Sequence, residues 1–235
     1  MQLLRLLYQR YTFLFCCLCS LFMTTCGIPN LIYLEKPRSV HNPSNLTALN
    51  DRYCEFTTAD TVNTTYAAGY IKGTEIYYRI YERKNDCEND RSQIEKYNDD
   101  NPFTAAGYLE NTKKYYRLET DQISTRPLIN THISDLSVRF RLQDYGSPVS
   151  DPAQLTVNST LKGIPQRNSR IPPTKRGFNK DNIAVGDDDV QQASSSGTEP
   201  YWCVNFYAVS YGYTTTFTPL YSALEYLGYI LIEKN

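Results

Sequence analysis

Ala67-Ala68-Gly69-Tyr70-Ile71-Lys72-Gly73-Thr74-Glu75-Ile76-Tyr77-Tyr78-Arg79 returns, 38 residues later, as Ala105-Ala106-Gly107-Tyr108-Leu109-Glu110-Asn111-Thr112-Lys113-Lys114-Tyr115-Tyr116-Arg117. Eight of the thirteen aligned positions are identical, and Gly73 is exchanged for Asn111. Gly and Asn are the residues that most easily tolerate a left-handed backbone. Each copy therefore reads as strand, tight turn, strand, with Lys72-Gly73 and Glu110-Asn111 at the turns. The reading is a β-hairpin used twice. Two copies are too few for a solenoid, which needs at least about three units to bury its faces. Duplication inside one domain, or chance likeness of two hairpins, remains.

Period-2 alternation assigns the faces. In Glu75 to Tyr81 it turns Ile76, Tyr78 and Ile80 inward and Tyr77, Arg79 and Tyr81 outward. The second copy turns Tyr116 and Leu118 inward and Tyr115 and Arg117 outward. Val138-Arg139-Phe140-Arg141-Leu142 repeats the aromatic, Arg, aliphatic order as a third strand of the same sheet, with Phe140 inward and Arg139 and Arg141 outward. The polar connection from Glu82 to Asp100 reads as a solvated link with a short helix at Ser92 to Tyr97.

A chain of 235 residues with 41% hydrophobic residues can bury one good core, and mainly β domains of this size are ordinary. The formal net charge of -1 supplies no basic field, so no nucleic-acid partner is expected. Tyrosine is abundant, 21 residues against a single Trp. That abundance fits half-buried sheet positions, an aromatic binding surface or cavity, or cross-linking in a matrix.

At the N-terminus, Arg5 and Arg10 precede an apolar run from Tyr11 to Met23, the pattern of a secretory signal over residues 1–26. The run is too short for a comfortable membrane span, so no membrane association is expected after cleavage. Behind such a leader, the sequons at Asn45, Asn63 and Asn158 are glycosylation candidates and mark exposed backbone. An oxidising destination makes Cys54, Cys87 and Cys203 disulfide candidates, with one bridge and one odd thiol. A Cys54–Cys203 bond is weakly preferred to Cys87–Cys203. Cys87, in the charged segment Lys84 to Asp90, is then the better free thiol, able to link two chains into a dimer.

The chain divides into a β-hairpin region over 27–145, a flexible insertion over 146–200, and C-terminal strands over 201–235 completing the same domain. The insertion is rich in Gly, Pro, Ser and Gln and reads as mobile. Its charge is sorted, with basic residues from Lys162 to Lys180 and then Asp187-Asp188-Asp189. That reads as a solvated loop whose halves attract weakly, or as a processing segment in which Arg167-Asn168-Ser169-Arg170 and Lys175-Arg176 are cut at Arg170 and Arg176. Beyond it, Tyr201 to Tyr211 alternates as a strand, Ser222 with Glu225 resembles a capping box before a helical turn ended by Gly228, and Tyr229 to Ile232 reads as a buried last strand.

Pro152-Ala153-Gln154-Leu155-Thr156-Val157, Pro200-Tyr201-Trp202 and Tyr229-Ile230-Leu231-Ile232-Glu233-Lys234-Asn235 resemble, in order, strands in the later half of lipocalins of the apolipoprotein D type. Asp51-Arg52-Tyr53-Cys54-Glu55-Phe56 stands where that family has its G-x-W motif. The resemblance implies an eight-stranded antiparallel barrel around a small apolar ligand. The fold class expected is thus mainly β, a lipocalin-like barrel or a sandwich containing a duplicated hairpin.

Catalytic signatures are few. His41 and His132 are too few for a His-rich zinc site, and no P-loop, G-x-G-x-x-G or G-x-S-x-G occurs, so no metal or cofactor is expected. His132 near Ser134 and Asp135 offers triad residue types, but adjacency in sequence does not supply triad geometry. The leading expectation is a secreted, glycosylated carrier whose Tyr78, Tyr116, Phe140 and Trp202 line an apolar cavity. The alternatives are an effector-like glycoprotein that binds an extracellular protein through Tyr77, Arg79, Tyr81, Tyr115, Arg117, Arg139 and Arg141, or a Tyr-rich structural protein.

Overall fold

The computed structural model describes residues 32–43, 48–59, 61–130, 135–145, 152–168, 170–194 and 199–234. The leader, the Asn45 sequon, His132 with Ser134, and residues 146–151 and 195–198 of the expected insertion lie outside the described residues.

Along the chain run β1 (Arg38–His41), β2 (Cys54–Thr57), the short helix α1 (Thr61–Thr65) and the long strand β3 (Ile71–Tyr81). Helix α2 (Lys84–Asp100) follows, then α3 (Ala105–Gly107), which widens into a π-helical turn over Tyr108–Thr112. Next come β4 (Tyr116–Arg117), β5 (Glu119–Thr120), β6 (Ile129–Asn130) and β7 (Ser137–Arg141). The stretch expected to be a mobile insertion carries β8 (Gln154–Val157), β9 (Thr160–Leu161), β10 (Pro165–Gln166) and β11 (Val190–Gln191). The chain ends in β12 (Tyr201–Tyr213), β13 (Pro219–Tyr221) and β14 (Glu225–Glu233).

The strands form a five-stranded sheet in the order β1-β2-β7-β8-β9, a seven-stranded sheet built on β3 and β12, and a β5–β10 pair. The fold is mainly β, antiparallel but for β11 against β3, and one sheet is strongly curled into half a barrel. The main core lies between the two large sheets. Cys54, Phe56, Val138, Phe140 and Leu155 from the five-stranded sheet meet Ile76, Tyr78, Ile80, Val204 and Phe206 from the other. The inward turn of Tyr78 and Phe140 is as the alternation demands, but β7 belongs to the opposite sheet from β3 and faces it across this core.

Neither copy of the repeat is a hairpin. The first runs straight through Lys72-Gly73 as one strand. Its glycine answers a close approach, because a Cβ on Gly73 would stand 2.0 Å from the carbonyl oxygen of Ile129 on the neighbouring β6. The second copy coils into α3 and the π turn before regaining a strand at Tyr116. The two copies then pair with each other, antiparallel, Tyr77 opposite Arg117 and Tyr78 opposite Tyr116. The expected helical turn after Ser222 is absent: Ser222 accepts the amide of Ser210 at 2.9 Å, and β14 runs through Gly228. Gly228, at φ +99°, sits by the irregularity where β14 shifts register against β12.

The polar link is also more ordered than the sequence suggested, because α2 spans 17 residues and roofs the outer side of β3 and β12. Cys87, Asp90 and Ile94 form its buried stripe at helical spacing. Beneath them lies a second core of Tyr77, Tyr81, Tyr115, Cys203, Tyr207 and Val209. With both faces of β3 covered, Tyr77 and Tyr81 are fully buried rather than outward. In the former insertion, Arg167 is itself fully buried: its guanidinium donates to Asp189 and Asp187 at 2.8 Å and to the carbonyl of Asn182 at 2.7 Å. Tyr78 donates to the same Asp189 at 2.7 Å, so the sorted charges form a specific buried ion pair.

Candidate binding face

The five-stranded sheet buries one side and leaves the other open. Pairing sets Cys54 opposite Phe140 and Phe140 opposite Leu155, all inward. The same pleat turns Glu55, Arg139 and Thr156 outward in one transverse row. Around that row Ser137, Arg141, Pro152, Gln154, Ser159 and Leu161 border a shallow depression of about 360 Å³.

One wall of the face is a stack. The His41 and Tyr53 rings lie 4.1 Å apart and nearly parallel, and the Arg139 guanidinium sits 4.0 Å from the centre of the Tyr53 ring. A guanidinium on an aromatic face keeps its in-plane donors directed sideways, along the sheet surface. The His41 ring nitrogen is 3.1 Å from the carbonyl oxygen of Asp51, which fixes the stack to the backbone. Arg141 behaves differently. It is 3% exposed and donates to the carbonyls of Leu49 and Asn50 at 2.8 Å each, so it ties a loop to the sheet rather than lying open.

The expected outer face thus splits three ways. Arg139 stands on the open side of the five-stranded sheet, with Arg141 tucked beneath it. Arg79 and Arg117 belong to the other sheet, where Arg79 donates to the carbonyl of Lys114 and Arg117 lies 3.8 Å from buried Glu75. Tyr77, Tyr81 and Tyr115 are sealed under α2. There the Tyr81 hydroxyl donates to Asp90, whose other oxygen takes Lys113, and the Tyr115 hydroxyl accepts from Asn205 at 2.8 Å. Burial pushes the Tyr77, Tyr81 and Tyr115 phenols well above their ordinary range; for Tyr81, the neighbouring Tyr115 and Asp90 push the same way.

The residues expected to line a cavity are packed side chains in three of four cases. Tyr78 and Phe140 are fully buried, with Phe178 edge-on to Tyr78 at 5.0 Å and Phe206 edge-on to Phe140 at 5.1 Å. Tyr116 is half-buried against the same cluster. Trp202 alone borders open space, a groove of about 700 Å³ that also touches Ile183, Val185, Lys180 and Lys234, with the Lys234 ammonium 4.4 Å from the Trp202 ring centre.

The modification candidates separate as sharply. Asn63 is 2% exposed; its amide donates to the carbonyl of Glu35 at 2.9 Å and accepts the Glu35 amide at 2.7 Å, which leaves a glycan no room. Asn158 is exposed in the β8–β9 turn, at φ +45°. Arg170 is exposed and Arg176 half-exposed, but Arg167, the first arginine of the R-x-x-R motif, is locked in the interior. Cys54 lies in the main core, whereas Cys87 and Cys203 share the second one. The preferred Cys54–Cys203 bond is therefore incompatible with the fold, and Cys87 is a buried helical residue rather than a loop thiol.

Among the described residues no group of three or more His, Cys, Asp or Glu side chains is placed to hold a metal ion, and no helix is long and apolar enough to cross a membrane. Tyr53, His41 and Glu55 were missed at the sequence level; the signal that could have found Tyr53 and Glu55 is their alternation with the apolar Cys54 and Phe56. The chain matches no protein-family model, no curated protein and no solved structure.

Proposed function

We propose that the chain is an exported glycoprotein that binds an extracellular protein through the open side of its five-stranded sheet. The observation that carries this reading is the His41–Tyr53–Arg139 stack beside the depression over Glu55, Arg139 and Thr156. Rigid aromatic and Arg side chains dominate binding energy at protein interfaces, because they bring large contact area and directed hydrogen bonds at low entropic cost. The filled interior around Tyr78, Phe140 and Phe206 supports the same choice over an internal ligand.

A photo-cross-linking residue at Thr156 tests it. In extracellular fluid of the source, that residue is expected to give a discrete protein adduct that Arg139→Glu abolishes, while the same residue at exposed Asn89 on α2 gives none. Equal labelling from both positions, or an adduct indifferent to Arg139→Glu, overturns the reading.

A second reading, a small apolar ligand as the lipocalin resemblance implies, is favoured by the groove at Trp202. Because Trp202 is the single tryptophan, its fluorescence reports that groove alone. Saturable quenching or a blue shift on titration with a long-chain fatty acid supports this reading, and an unchanged spectrum removes it.

A further inference from the structure

Three described cysteines are buried, and their placement decides which can meet. On β12, Trp202 and Val204 point into the main core while Cys203 points to the opposite side, into the core beneath α2. Cys54, on β2 of the other sheet, faces the main core opposite Phe140. A bond between Cys54 and Cys203 would have to pass through the seven-stranded sheet, in which β3 and β14 flank β12 on either side at Cys203. Cys87, one turn into α2, reaches the same pocket from above and is buried in one cluster with Cys203, whose thiol it helps to push up. Both are about 1% exposed.

We propose that Cys87 and Cys203 are joined as a disulfide whenever the chain folds in the presence of a disulfide donor, and that Cys54 remains a thiol. The step is thiol–disulfide exchange. One cysteine, as thiolate, attacks the donor's S–S bond to form a mixed disulfide and expels one donor thiolate. The second cysteine, as thiolate, then attacks the sulfur of the first, the mixed bond breaks, and the donor's second sulfur leaves as a thiolate. The two cysteines lose two protons and two electrons, and the donor is reduced by the same two electrons. A protein disulfide of the secretory pathway or oxidised glutathione supplies this role, so the pairing does not depend on the binding reading above. Burial raises the Cys203 thiol well above its ordinary range, so exchange precedes closure of α2 over β12.

The bond spans the chain from the first turn of α2 to the third residue of β12 and pins the helix that roofs the second core. Full-length protein is refolded with a reduced and oxidised glutathione pair, unfolded in guanidinium with an alkylating agent and no reductant, digested and weighed. The expected result is an alkylated Cys54 and one linked species containing Cys87 and Cys203, lighter by two hydrogens than the sum of its peptides and split by reductant. Alkylation of both Cys87 and Cys203, or a link from either to any other cysteine, overturns the proposal. Two variants guard against misfolding artefacts. Cys54→Ala is expected to keep the link, and its loss there also overturns the proposal. In the parent a reductant is expected to shift the denaturation midpoint, whereas in the Cys87→Ser, Cys203→Ser double variant it leaves the midpoint unchanged.

Discussion

Between the two large sheets, Phe56, Phe140, Phe206, Leu155 and Ile232 meet with few polar atoms to satisfy, whereas beneath α2 the large side chains are Tyr77, Tyr81, Tyr115 and Tyr207. The first region is held by apolar area removed from water. The second must also accommodate hydroxyls, and it does so unequally. Tyr77 donates to Glu110 at 2.6 Å, Tyr81 to Asp90, and Tyr115 accepts from Asn205, while the Tyr207 hydroxyl, 1% exposed, has no hydrogen-bond partner among the described residues. The contrast teaches that a tyrosine-rich core is only as stable as its polar wiring, since each unpaired buried group costs about 1 to 3 kcal/mol.

The largest test is alkaline pH, which acts chiefly on the second core and reaches the first through Tyr78 and Cys54. Burial raises the phenols of Tyr77, Tyr78, Tyr81, Tyr115 and Tyr207 well above their ordinary value. An unfolded tyrosine loses its proton near pH 10 while the folded one keeps it, so the native state binds more protons and stability falls as pH rises. Denaturant titrations are expected to decline gently above about pH 8, as the unfolded Cys54 thiol ionises, and to drop steeply above about pH 10. The slope should exceed one proton per pH unit, and a single-proton slope would break the comparison.

Phe140→Ala strikes the apolar region and is expected to cost about 3 to 5 kcal/mol in urea unfolding, since a fully buried ring leaves a cavity. Tyr81→Phe keeps the ring and removes the hydroxyl that donates to Asp90 and lies 3.0 Å from the Tyr115 hydroxyl, so a loss of about 1 to 3 kcal/mol is expected. A loss as large as that of Phe140→Ala would mean that the wiring carries more of the second core than its rings do. Tyr207→Phe is the smallest and sharpest test. Removing an unpaired hydroxyl should leave stability within about 0.5 kcal/mol of the parent or raise it, and a loss like that of Tyr81→Phe would reveal a partner for the hydroxyl.

The inward residues of the main core were legible, because Ile76, Tyr78, Ile80 and Phe140 alternate without ambiguity. The second core was not, for two physical reasons. Tyrosine is amphipathic, so Tyr77, Tyr81 and Tyr115 look alike whether they face water or a carboxylate under a helix. The helix that covers them has Asp90 at the middle of its buried stripe, and a carboxylate there erases the apolar period that would announce an amphipathic helix. The insertion was misjudged for a related reason: Arg167 and Asp189 lie 22 residues apart in sequence, and only the fold turns sorted surface-like charges into a buried pair. For the candidate face, Arg139 was legible from alternation, but its support came from His41 on β1 and Tyr53 just ahead of β2, and those strands pair only in three dimensions.

The pairing of the two near-copies has a consequence for assembly. Tyr77-Tyr78-Arg79 bonds to Tyr115-Tyr116-Arg117 of its own chain, but the same segment of a neighbouring chain offers an almost identical edge. Within one molecule the choice is settled by proximity and by β12, which lies along the length of β3 and holds it in register. Before β12, more than 80 residues further along the chain, has docked, that arbiter is missing. Refolding yield is thus a matter of concentration: dilute chains close on themselves, and crowded ones trade strands.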